Sequence, residues 1–115
     1  MLNTLKQYSS IISDYKVNQY EIAGSSQKLR AILYFVNESE LHVRITIIDG
    51  IQVKYSFHWQ DKDKNIIIRW DNAPDWDLHT FPHHKHVGSQ DCVEVSYERT
   101  LEQVLDVINI ELTNS

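Results

Sequence analysis

The sequence predicts an α+β domain: an N-terminal helix, a mostly antiparallel sheet of five or six strands, and a C-terminal helix, with both helices laid on one sheet face. Three observations carry that expectation. Both ends of the chain place apolar residues at helical spacing, and the middle alternates apolar and polar residues with a period of two. That alternation yields one strongly apolar face, which the two helices can cover.

The elements follow in order. Leu2, Leu5, Tyr8, Ile11, Ile12 and Tyr15 make one helical stripe, so a helix is expected from Leu2 to Asp14, with Asn3 or Thr4 able to cap it. From Val17 the period changes: Val17 to Ile22 predicts a strand, and Gly24-Ser25-Ser26 a turn. Leu29 to Val36 is apolar on both parities except at Arg30, which suits a central strand. In the next strand Leu41, Val43, Ile45 and Ile47 oppose His42, Arg44 and Thr46; in the one after, Val53, Tyr55, Phe57 and Trp59 oppose Lys54, Ser56, His58 and Gln60. A three-residue Ile48-Asp49-Gly50 loop between them keeps the apolar sets on one face, pairing Val43 with Tyr55 and Ile45 with Val53. The same parity argument across Asp61–Asn65 puts Ile66, Ile68 and Trp70 on the core face. Ile67, Arg69 and Asp71 then lie on the polar face beside Ser56 and His58. Residues 72–90 show no period and contain both prolines, which predicts a long loop. Cys92 to Val95 suits a short strand. Thr100 with Gln103 resembles a capping box opening a helix through Glu111, whose stripe is Leu101, Val104, Leu105, Ile108 and Leu112.

Composition narrows the function classes. At 115 residues the chain has room for one domain, residues 1–115. Its 42% hydrophobic and 23% charged residues exclude wholesale disorder. No apolar run approaches the roughly 18 residues of a membrane span, and no apolar segment follows a basic patch at the N-terminus. The single cysteine, Cys92, can form no internal disulfide, which fits a reducing cytoplasm. A net charge of −5 excludes a chain-wide cationic field, so a polyanion site has to be local.

The chemistry-bearing residues are concentrated. Four of six histidines, His79, His83, His84 and His86, fall within eight residues, and His58 lies on the polar sheet face. Two histidines around a substrate can act as general base and general acid. Arg69 can stabilise developing anionic charge. Asp71 can orient an imidazole or bind a cation, and Tyr55 or Ser56 can supply a hydroxyl. The bland alternatives are a surface ion pair for Arg69–Asp71, core packing for Tyr55, Phe57, Trp59 and Trp70, and an incidental surface histidine at His42 or His79. Trp76, in the loop, is less easily explained by the core. The His-His-Lys-His run also suits metal ligation by His83, His84 and His86, although no cysteine pair or HExxH helix accompanies it.

The run YSFHWQDKDKNIIIRWDNAP followed by TFPHHKH resembles the TumE-type family of small prokaryotic toxins, formerly a domain of unknown function. The likeness is densest over Tyr55 to His86 and extends to the closing TLEQVLDVI segment. The resemblance implies the toxin of a type II toxin–antitoxin module with a cognate antitoxin as partner. It marks Tyr55, His58, Arg69, Asp71, Asn72, His83, His84 and His86 as the characteristic polar positions. Members often carry two histidines after the Asn-Ala-Pro step, where this chain has Asp75 and Trp76, which bears on whether the activity is retained.

The leading expectation is a metal-independent endoribonuclease with no cofactor. His58 and one of His83, His84 or His86 form the acid–base pair, Arg69 and Lys85 hold the phosphate, Asp71 and Asn72 orient the site, and Tyr55 and Ser56 contact substrate. Protonated histidines would add positive charge and favour activity near pH 6. The alternatives are a non-catalytic module that docks an antitoxin or blocks a cellular target, with a homodimer among its arrangements, and a metal-assisted phosphodiesterase or nucleotidyl transferase using Asp71 and the histidines as divalent-metal ligands.

Overall fold

Strict alternation along residues 40–60 builds the centre of the molecule. β3 (Glu40–Ile48) and β4 (Ile51–Gln60) send Leu41, Val43, Tyr55, Phe57 and Trp59 to one face, all nearly inaccessible to solvent. Around them the computed structural model, which describes residues 1–114, adds β1 (Ile12–Ala23) and β2 (Ser26–Phe35) on one side. β5 (Ile66–Asp71), β6 (His84–Val87) and β7 (Val93–Val95) lie on the other. The strands pair antiparallel in chain order, so the sheet is a seven-stranded meander. The α+β class holds, with seven strands rather than five or six.

Two helices cover the apolar face. α1 (Leu2–Gln7) supplies Leu5, and α2 (Leu101–Thr113) supplies Leu101, Val104, Leu105 and Ile108 to the cluster that contains Leu33, Val43, Phe57 and Trp70. Thr100 and Gln103 form the expected capping box. The helices also touch one another: the Thr4 hydroxyl donates to Glu102 Oε1 at 2.8 Å, and the Tyr8 hydroxyl to the Asp106 carboxylate.

Four expectations are corrected. The first helix stops at Gln7 instead of Asp14, because Ile12, Tyr15 and Val17 join a twelve-residue strand that pairs with β2 along its length. The β3–β4 connection is the two-residue Asp49-Gly50 turn, with Ile48 paired to Ile51. Both turn residues have positive φ, 52° and 80°, the hairpin geometry whose twist matches that of the strands. Parity is restored by a bulge at Val53, so Ile45 faces Tyr55 and Val43 faces Phe57. A second bulge, at Ile67, places Ile66 opposite Gln60 instead of on the core face, while Ile67 packs against the core. The predicted loop over residues 72–90 contains β6, which adds His84–Val87 to the sheet beside β5.

Candidate functional site

The register converts alternation into rows that run across the polar face. In one row Gln19, Arg30, Arg44, Ser56, Asp71 and His84 are successive backbone partners from β1 to β6. In the next, His42, His58, Arg69 and His86 follow one another from β3 to β6. The short strand β6 is the element that brings the histidine run to Asp71. Its alternation points His84 and His86 at the polar face and turns Lys85 the other way.

At the centre is a buried cluster of a carboxylate and two imidazoles. Asp71, His84 and His86 are 6%, 2% and 3% exposed. His84 Nε2 lies 3.0 Å from Asp71 Oδ1, and His86 Nε2 lies 3.8 Å from Oδ2. The two rings meet edge to face, with centroids 5.0 Å apart. Each imidazole is held from behind: His84 Nδ1 donates to the Pro82 carbonyl at 3.1 Å and His86 Nδ1 to the Gln90 carbonyl at 2.8 Å. Asp71 accepts from Ala73 N at 3.0 Å and from Arg69 Nε at 3.3 Å. Trp76 stands against both rings, with centroids 6.3 and 6.1 Å away.

The cluster opens on a groove of about 740 Å³ on the polar face. Five cations line it, namely Lys28, Arg30, Arg44, Lys54 and Arg69, against the two carboxylates Asp71 and Asp75. In a chain with 11 Lys and Arg and a net charge of −5, that is a concentrated positive stripe. Arg30 and Arg44 are direct cross-strand partners, an arrangement of like charges that disfavours folding.

The expected site residues divide between the two faces. Arg69, Asp71, His84 and His86 come together, with Ser56 in the same row and in the groove wall. His58 sits opposite Arg69 and edge-on to His42, beside the groove instead of in its wall. Burial first, then Arg69 and His42, hold its pKa below the usual 6.5, so it carries less of the positive charge expected from protonated histidines. His83 is not part of the cluster: its Nδ1 is 2.8 Å from the Tyr55 hydroxyl and the rings stack. Burial and Arg99 lower the His83 pKa, and burial pushes the Tyr55 phenol up to about 12. Lys85 pairs with Glu98 at 3.6 Å. Asn72 extends the β5 ladder with its side chain, accepting from Tyr55 N and donating to the Val53 carbonyl, each at 3.1 Å. The residues that sequence reasoning passed over are Lys28, Arg30, Arg44 and Lys54. Their signal was parity, since Arg44 and Lys54 alternate with core residues and Arg30 interrupts an apolar strand.

The family model described as Toxin TumE matches residues 1–112. The chain belongs to the TumE toxin family. It is therefore the toxin of a toxin–antitoxin system, and the family implies a cognate antitoxin as partner. No curated protein and no solved structure matches the chain. Among the described residues, no helix is long and apolar enough to cross a membrane.

Proposed function

We propose that this TumE-family toxin acts by cleaving RNA, with the groove as the binding track and Asp71, His84 and His86 as the reacting centre. One observation carries the reading: a stripe of five cations in an acidic chain leads to a buried carboxylate–imidazole cluster. Salt screens the repulsion of the remaining acidic surface beyond about 8–10 Å, so a local stripe is sufficient to hold phosphates.

RNA carries its own nucleophile in the 2′-hydroxyl. A cleaving site therefore has to take up one proton, return one to the leaving oxygen, and stabilise the charge that builds on the phosphate. The cluster supplies the proton-handling groups, Arg69 supplies fixed positive charge beside it, and Arg44 adds charge two strands away in the same row. His58 and His86 flank Arg69 two strand spacings apart, about 10 Å, which is wide for an acid–base pair on one phosphodiester. The 5.0 Å spacing of the His84 and His86 rings fits the task better.

The test is incubation of the purified protein with single-stranded RNA beside an Asp71→Asn variant of confirmed fold. Cleavage by the wild type, reduced by about 100-fold or more in the variant, supports the reading. No cleavage, or equal cleavage from both, overturns it. Growth arrest that survives Asp71→Asn points instead to docking alone, for which the exposed Tyr20 and Ile22 of edge strand β1 offer a surface.

A further inference from the structure

We propose that Asp71, His84 and His86 bind one divalent ion of the zinc class, with its remaining coordination positions facing the groove. As an account of the reaction this rests on the RNA-cleaving reading; as a binding site it stands on the geometry alone.

The argument begins with the protons. Carbonyl oxygens only accept hydrogen bonds, so the Pro82 and Gln90 carbonyls require a proton on Nδ1 of both imidazoles. The neutral form of each ring then presents a bare lone pair at Nε2. Both lone pairs are aimed at the carboxylate of Asp71, at 3.0 and 3.8 Å. Acceptors facing acceptors in a buried place repel one another unless a proton on Nε2, making an imidazolium–carboxylate pair, or a metal ion lies among them. One ion serves both imidazoles and the carboxylate together. Arg69 answers only part of this, since it reaches Asp71 from the side through Nε and is itself 37% exposed.

The dimensions fit an ion. Ligand atoms about 2.0–2.1 Å from a tetrahedral zinc lie about 3.3 Å from each other. The two observed separations, each to a different oxygen of the Asp71 carboxylate, bracket that value, and side-chain adjustments of about 1 Å would bring one atom of each residue onto a common ion. One ligand atom from each of the three residues falls within 4.8 Å of the others. The donor set, two imidazoles and one carboxylate, suits zinc-like ions and not magnesium or calcium, which prefer oxygen ligands. The outer contacts are those a ligated site uses: each imidazole donates its other ring N–H to a carbonyl, and the carboxylate accepts a backbone N–H from Ala73. Three protein ligands leave a position open, and all three residues line the groove. There the ion would hold a water of lowered pKa or a phosphate oxygen. With both Nε2 atoms on the ion, the proton handling proposed for the two imidazoles would pass to that water.

Binding is measured without RNA. Untagged wild-type protein, stripped with a chelator, is titrated with Zn²⁺ and separately with Mg²⁺ by calorimetry, and with Co²⁺ by visible absorption. The expected result is one Zn²⁺ per chain, no comparable Mg²⁺ binding, a Co²⁺ d–d band, and ring NMR signals shifted for two of the six histidines. Affinity falls about 100-fold or more in His84→Gln/His86→Gln and in Asp71→Asn, and persists in His42→Ala/His79→Ala. A wild-type chain that binds no stoichiometric Zn²⁺ overturns the proposal whatever the variants do. So does binding that survives the His84/His86 double substitution, because the ion is then held elsewhere. RNA cleavage by metal-free protein removes the ion from the reaction and keeps the RNA reading; bound Zn²⁺ with no RNA cleavage keeps the ion site and removes the RNA reading.

Discussion

His58 and Tyr55 stand three residues apart on β4, and burial pushes them in opposite senses because it disfavours whichever form is charged. For His58 the charged form is the acid, so its pKa drops; Arg69 across the strand pair adds to the drop. The consequence for stability has a definite sign. Below pH 6.5 the unfolded chain binds a proton at this position more readily than the folded one, so acidification from 6.5 toward the lowered folded value withdraws stability. The loss of urea midpoint between pH 7.5 and pH 5.5 is therefore expected to be smaller in His58→Gln than in the wild type. An identical loss in both proteins would show that His58 titrates as an ordinary surface histidine. The same shift bears on activity: His58 brings less positive charge to bound RNA than an exposed histidine would, and more of that task falls to arginine and lysine.

At the scale of elements, legibility tracked how much of each segment's pattern came from the core. β3 and β4 alternate cleanly because one face is buried and the other is not, and α2 announces itself by Thr100, Gln103 and an apolar stripe. The capping box satisfies two orphan N–H groups at the start of α2. Thr100→Ala is accordingly expected to cost about 1 kcal/mol, read as a lower urea midpoint with an unchanged denaturant slope; no change would mean that water replaces the cap fully. The second half of β1 is legible as a strand over Val17–Ile22, whereas its start reads as helix because the pairing is interrupted by bulges at Ser13 and Asn18, which shift parity twice. What remains in Leu2, Leu5, Tyr8, Ile11, Ile12 and Tyr15 imitates a helix. β6 was missed for a different reason. It is four residues long, and its alternation is between two buried histidines and Lys85 and Val87, so hydrophobicity carries no period even though the backbone does. The site was legible to the same degree. Parity placed His58, Ser56, Arg69 and Asp71 on one face, but separating His84 and His86 from His83 required knowing that His84 begins a strand.

Across the whole molecule the charge is segregated in a way that total composition hides. Five of the 11 basic side chains converge on one groove, and two of them, Arg30 and Arg44, are held directly opposite each other at a cost to the sheet. A feature that weakens the fold while concentrating charge calls for a ligand that neutralises it, and the two roles can be separated by one substitution. Arg44→Gln relieves the repulsion, so thermal stability is expected to rise, by a few tenths of a kcal/mol to about 1 kcal/mol. If all five cations meet phosphates of single-stranded RNA, the logarithm of affinity falls with the logarithm of salt with a slope near −3.5, at about 0.7 per contact. Raising salt from about 50 to 200 mM then weakens binding by roughly 100-fold, and Arg44→Gln reduces the slope by about 0.7. Fluorescence anisotropy of a labelled RNA across a salt series reads both quantities. A variant that is less stable yet binds RNA with the wild-type slope would mean that Arg44 serves the sheet and not the phosphates, and the groove would lose its claim to be the RNA track.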